Sequence, residues 1–123
     1  MEHGNKLSKG NIFVNAVNGI VHGLRTQANL RFHLAAAILV VAAGIVFGLS
    51  PPEWTLLVLC IGLVIALELV NSSIELIADK VSTEYDSKVK AVKDMAAGAV
   101  LVAAICAAAV GLIIFIPRIA LLL

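Results

Sequence analysis

Two long stretches of this chain carry no Asp, Glu, Lys or Arg. One lies between Arg31 and Glu53, the other between Asp94 and Arg118. As a helix, Met95–Pro117 would span about 34 Å, enough for a hydrocarbon core of about 30 Å. The core of the first stretch, Leu34–Leu49, reads LAAAILVVAAGIVFGL. A further apolar run, TLLVLCIGLVIAL after Trp54, stops at Glu68. It reaches only about 21 Å and is too short to cross alone. The helix must therefore continue through Glu68, which puts a carboxylate at or inside the membrane boundary. Composition agrees, because 61% of the 123 residues are apolar and 14% are charged, against about 45–50% and about 25% in soluble domains. The expectation is an all-α membrane protein of one domain, 1–123, with helical spans at roughly 32–50, 54–79 and 94–117.

Ahead of the spans, Phe13, Val17, Ile20 and Leu24 recur at helical spacing, with Lys9, Asn15, Asn18, His22 and Arg25 mostly elsewhere on the wheel. That pattern predicts an amphipathic surface helix over roughly residues 8–30. A cleavable signal peptide is not expected, since no charged-then-apolar order with an A-x-A site precedes the first apolar run. Lys6, Lys9, Arg25 and Arg31 precede the first span, and Lys80, Lys88, Lys90 and Lys93 lie between the second and third. Only Arg118 lies on the other side. This bias predicts a cytoplasmic N-terminus and 80–93 loop, with the Pro51-Pro52 turn and the C-terminus outside. The net charge of +1 offers no basic excess for nucleic acid. Cys60 and Cys106 sit among aliphatic residues, which argues against a disulfide.

The second span has an unusual polar stripe. Glu68, Asn71, Ser72, Glu75 and Asp79 fall within about 100° of one another on a helical wheel. Ala66, Val70, Ser73 and Ile77 occupy the opposite side. An ionisable group at that depth is costly and normally faces a polar interior or a functional site. A solvated helix end accounts for Asp79 but poorly for Glu68, the deepest of the set. A second cluster, Lys88, Lys90, Lys93 and Asp94, opens the third span, with Lys93 and Asp94 expected as a charged pair at the membrane threshold. Carboxylates can hold Mg²⁺ together with substrate phosphates. A lysine can neutralise phosphate charge, and a further carboxylate can accept a hydroxyl proton. The combination suits phosphoryl transfer to an alcohol at the membrane surface. Neither G-x-x-x-x-G-K-[ST] nor a kinase Gly-rich loop occurs, which excludes a soluble-type nucleotide fold. Ala99, Ala103, Ala107 and Gly111 recur every four residues and suggest a close-packing face.

The run from Glu68 through Asn71, Ser72 and Glu75 to Asp79, followed by Lys93-Asp94-Met95-Ala96-Ala97-Gly98-Ala99-Val100, resembles the prokaryotic diacylglycerol kinase family. That family includes the undecaprenol kinases. The resemblance implies a homotrimeric inner-membrane bacterial enzyme, with three spans per subunit and composite sites between subunits. It implies transfer of the γ-phosphate of MgATP to a lipid hydroxyl. Glu68 matches the general base and Glu75 a metal ligand. Asn71 and Asp79 match positions in the nucleotide region, Lys93 matches the lysine that meets the ATP phosphates, and Asp94 matches its partner. The family usually carries a glutamate before the first span, in a context like E-x-N-x-R-x-H. Here Thr26-Gln27-Ala28-Asn29-Leu30-Arg31-Phe32-His33 stands there, and Gln27 replaces the glutamate. An amide brings a dipole instead of a charge and holds Mg²⁺ more weakly. Lys9 lies near the family's N-terminal basic residue. The Arg31-Phe32-His33 and Ala96–Val100 segments look more like the undecaprenol-kinase branch than the diacylglycerol branch. Two other classes compete: a small transporter with an intramembrane glutamate, and a catalytically silent membrane scaffold, the latter prompted by Gln27.

Overall fold

A computed structural model describes residues 10–123. Four helices follow in order: α1 (Ile12–Thr26), α2 (Ala28–Phe47), α3 (Pro51–Val81) and α4 (Ser87–Leu122). The last three are long and apolar enough to cross a membrane. The start of the expected surface helix, residues 8 and 9 including Lys9, lies outside the described residues.

Each boundary has a local cause. Asn11 caps α1 by accepting from the Phe13 amide at 2.8 Å. The surface helix ends at Thr26, short of the expected residue 30, because Gln27 is extended (φ −114°, ψ 108°). Arg31 reinforces that break. Its Nη1 donates to the Leu24 and Arg25 carbonyls at 2.9 and 3.1 Å, satisfying acceptors that the end of a helix leaves open. Between α2 and α3, Gly48 adopts φ 65° and ψ 59°, the left-handed cap that glycine enters without steric cost. Ser50 then starts α3 in a capping box with Glu53, and the prolines fill the first two helical positions, where a missing N–H costs nothing. Asp86 caps α4 by accepting from Lys88 N and Val89 N at 2.8 and 3.1 Å. The third span does not stop at Pro117. The helix continues to Leu122 with the proline inside it.

Helix α3 is the organising element. Its buried positions are Leu57, Val64, Glu68, Asn71, Ser72 and Ala78; all but Ser72, which adjoins Asn71, step by three, four or seven, the seam of a helix packed lengthwise on another. That seam meets α4, which buries Val100, Ala103 and Ile114. The turn end of the bundle is an apolar core of Leu49, Leu57 and Ile114, with Val40, Phe47, Trp54, Val110 and Phe115 around it. There the Arg118 guanidinium grips both oxygens of Glu53, one of them at 2.6 Å, while Ser50 donates to Glu53 Oε1 from its amide and hydroxyl. At the opposite end, α1 lies against α3. A Cβ on Gly23 would sit 2.9 Å from Leu69 Cδ2. The apolar side chains of α1, Ile12, Phe13, Val14, Val17 and Ile20, stay exposed, as a helix lying on a membrane surface requires. The small-residue stripe of α4 is covered unevenly within one chain. Ala103 is buried, Ala107 and Gly111 are half-buried, and Ala99 is exposed. A four-residue repeat drifts about 40° per step on a helix, so the two ends of the stripe point about 120° apart.

Candidate active site

The deep half of the polar stripe of α3 faces inward, whereas Asp79 at its far end is exposed. Glu68 is 3% exposed, and Asn71 and Ser72 are 6% exposed. Val70 and Ile77, on the opposite side, are 52% and 64% exposed. Ser73 on that outer side bonds its own helix, donating to the Leu69 carbonyl at 2.9 Å. Two of the inward groups lack partners among the described residues: Asn71 Oδ1 and Ser72 Oγ are buried without a hydrogen bond. Buried polar groups are nearly always satisfied, so unpaired acceptors beside a buried carboxylate are suited to a ligand, a water or another chain.

Helix length sets the depth of these groups. From Pro51, about 20 residues cover a hydrocarbon core of about 30 Å. Glu68, about 26 Å along α3 from Pro51, therefore sits just inside the far boundary. Asn71 lies at that boundary, and Glu75 and Asp79 stand beyond it. Facing Glu68 from α2 is His33, whose Nε2 lies 3.8 Å from Glu68 Oε2.

Beyond the boundary, α3, the 82–86 loop and the start of α4 enclose an open cleft of about 470 Å³. Glu75, Asp79, Lys93 and Asp94, four of the residues singled out in the sequence, line it together with Lys90 and Tyr85. The structure corrects one pairing. Lys93 does not pair with Asp94, since adjacent helical residues diverge by about 100°. Lys93 Nζ instead meets Asp79 Oδ1 across the helices at 2.7 Å. Asp94 pairs one turn back with Lys90 Nζ at 2.6 Å. Glu68 and Asn71 are not in this cleft. They lie about one to two turns deeper on α3, so the site has two levels about 10 Å apart.

The donor set fits a hard cation completed by phosphate, not an all-protein metal cage. Among the described residues no group of three His, Cys, Asp or Glu side chains converges on one point. The cleft carries Glu75, Asp79, Glu84, Asp86 and Asp94 against Lys90 and Lys93, an excess of three negative charges. A polyphosphate would be repelled there without a divalent cation, and Mg²⁺ uses just one or two carboxylates plus phosphate oxygens. Gln27 stands at the α1–α2 break, and its side chain caps neither helix.

One turn of α3 from the buried carboxylate, at Val64 and Ile65, begins a groove of about 570 Å³. Its walls are apolar and come from α2, α3 and α4, including Ala36, Val40, Ile61, Val64, Ala107 and Phe115, and His33 closes one end. Sequence reasoning missed the His33–Glu68 contact, the Arg31 cap and the Glu53–Arg118 clamp. A histidine on an otherwise apolar helix face was the available signal for the first. For the last, the signal was a lone acid and a lone base at the same membrane boundary.

Comparison with known proteins bears on this geometry. The family model described as prokaryotic diacylglycerol kinase matches residues 14–115. An undecaprenol kinase of Bacillus subtilis (strain 168) is 41% identical over 118 residues, covering 95% of this chain and 96% of that protein. A diacylglycerol kinase of Synechocystis sp. (strain ATCC 27184 / PCC 6803 / Kazusa) is 37% identical over 100 residues. That match covers 80% of this chain and 57% of the relative.

Proposed function

The chain belongs to the prokaryotic diacylglycerol kinase family and is a membrane lipid kinase, and from that premise we propose that it transfers the γ-phosphate of MgATP to the hydroxyl of an undecaprenol-type lipid. The observation that carries the reading is a carboxylate, Glu68, buried to 3% exposure just inside the membrane boundary. Along α3 it lies between an apolar groove, which begins one turn away at Val64 and Ile65, and an open charged cleft, which begins two turns away at Glu75. A lipid alcohol has its hydroxyl at that boundary and its hydrocarbon below it. The polyprenol is favoured over diacylglycerol because the match to the undecaprenol kinase runs nearly end to end in both chains.

In this mechanism the cleft takes the nucleotide. Lys93 leaves Asp79 or shares it to meet the phosphates, and Asp94 holds Lys90 beside it. Glu75 is the metal ligand, with Gln27 a weaker second donor. Magnesium, when bound, offsets phosphate charge and polarises the γ-phosphoryl group. Asn71 stands one turn from both Glu68 and Glu75 on α3, where its unpaired Oδ1 can accept a hydrogen bond from the lipid hydroxyl. Glu68 accepts the hydroxyl proton as the lipid oxygen bonds to the γ-phosphorus and the bond to the nucleotide breaks. The apolar groove receives the hydrocarbon next to the reacting hydroxyl.

The same reading makes the working enzyme a homotrimer in the bacterial inner membrane, its N-terminus and 80–93 loop cytoplasmic and its C-terminus outside. The exposed apolar faces of all four helices, the unpaired Ser72 and Asn71 oxygens and the distribution of basic residues support it. The test is phosphate transfer from labelled ATP in mixed micelles, with undecaprenol and diacylglycerol offered separately across a Mg²⁺ series. Faster transfer to undecaprenol is expected. Preference for diacylglycerol would overturn the substrate assignment. Glu68→Gln should abolish turnover while MgATP still binds, and loss of nucleotide binding instead would remove Glu68 from the role of base.

A further inference from the structure

A buried base creates a problem that the mechanism above leaves open. Glu68, once protonated by the lipid hydroxyl, must lose that proton before the next turnover, yet it is 3% exposed. At that burial bulk water does not reach it freely. Among the described residues, the only basic side chain within 4.0 Å of its carboxylate is His33. Lys93 and Lys90 are engaged at the upper level with Asp79 and Asp94, and Arg31 is turned back to the carbonyls of α1.

We propose that His33 is the proton exit for Glu68, taking the proton from the buried carboxylate after each phosphoryl transfer and releasing it to water. The inference rests on Glu68 acting as the base. Three observations carry it. The first is the contact itself, 3.8 Å from Nε2 to Oε2. That gap is longer than a hydrogen bond by about 1 Å, a distance that small side-chain rotations close. The second is the gradient of exposure. The side chain of His33 is 21% exposed and that of Glu68 is 4%, so the imidazole is the more open of the two groups. The third is its setting. His33 is set among alanines, aliphatic residues and phenylalanines in the groove wall, and packs edge-on to Phe32 at 5.7 Å. A polar ring has no packing reason to be there, and polar groups at membrane depth mark proton or substrate pathways.

The step balances. The lipid O–H bond breaks as its oxygen bonds to phosphorus, and the proton goes to Glu68. Glu68 then passes it to Nε2 of His33, and the imidazolium gives up one proton to water. Carboxylate and neutral imidazole are restored, and no oxidant or further reactant is needed.

The test uses the full chain in mixed micelles with undecaprenol and MgATP. His33→Gln keeps polarity and size but cannot carry the proton, and His33→Ala opens space for an added base. Both should lower kcat by about 100-fold, the lower end of the range for general acid–base groups, with KM for MgATP unchanged. Added imidazole should restore a concentration-dependent part of the His33→Ala rate and none of the Glu68→Gln rate. A His33→Gln enzyme with wild-type kcat would overturn the exit role, as would a His33→Ala enzyme that imidazole does not rescue. KM for MgATP and nucleotide binding report whether each variant is folded. Failure of the underlying reading looks different: Glu68→Gln would then retain turnover, whatever His33 does.

Discussion

Gly44 offers a test of the packing at the turn end of the bundle, with a sign that depends on a single neighbour. It is buried in α2, and a Cβ placed there would lie 2.7 Å from Trp54 Cη2, 3.1 Å from Cζ2 and 3.0 Å from Leu49 Cδ1. Carbon atoms rest at about 3.5–4.0 Å, so the methyl of Gly44→Ala overlaps the indole by about 1 Å. The leucine tip can rotate away. The indole is a rigid plane wedged against the apolar core of Leu49, Leu57 and Ile114 and yields only if α2 and α3 separate. Overpacking of this kind costs about 1–3 kcal/mol. Against it stands the helix propensity of alanine over glycine, worth about 1 kcal/mol. The overlap wins, and Gly44→Ala should destabilise the protein by about 1 kcal/mol. In a Trp54→Leu background the overlap is gone and the propensity remains, so the same substitution should stabilise by about 1 kcal/mol. The coupling between the sites is then about 2 kcal/mol, well above what independent sites show. Reversible unfolding in mixed micelles, by titration with a denaturing detergent, measures all four corners of the cycle. Additive effects would refute the reasoning, because they would mean that the indole does not lie over Gly44.

Two further outcomes follow from the site and its supports. Gln27→Glu should lower the Mg²⁺ concentration needed for half-maximal phosphate transfer, since a carboxylate adds a full charge to the donor set; an unchanged requirement in a Mg²⁺ titration would show that position 27 does not reach the metal. Arg118→Ala should lower resistance to unfolding without changing kcat, because the Glu53 clamp lies at the far end of the bundle from Glu68, and the exchange Glu53→Arg with Arg118→Glu should recover part of the loss; a kcat that falls with Arg118→Ala, measured in the same micelles, would mean that the clamp positions the active site as well.

Much of this protein is visible without coordinates because its strongest determinants are local. Hydrocarbon thickness sets how many apolar residues a span needs, so the gaps around Leu34–Leu49 and Met95–Pro117 announce helices directly. Helical periodicity sets which side chains share a face, so the stripe of Glu68, Asn71, Ser72, Glu75 and Asp79 could be drawn from spacing alone. The inward orientation of the deep half of that stripe also follows, because a carboxylate at membrane depth is too costly to point into lipid. Helix ends were less legible. Extended backbone at Gln27 goes together with Arg31 reaching back to cap α1, and α4 passes through Pro117 with Arg118 beyond it held by Glu53 of α3.

What tertiary structure alone decided is who pairs with whom. Lys93 has Asp94 beside it in the sequence, yet it pairs with Asp79, 14 residues away on the neighbouring helix. Glu53 and Arg118 lie 65 residues apart and meet only because α3 and α4 pack lengthwise with their ends in register. His33 and Glu68 come together for the same reason: the α2–α3 turn sets the relative depth of the two helices, and a shift of one turn would move them about 5 Å apart. The sequence by itself therefore determined the spans, the acidic stripe and the class of chemistry, through length and period. The fold decided the two-level division of the site and the partner of its buried carboxylate, because those depend on distances between helices that no spacing along one helix contains.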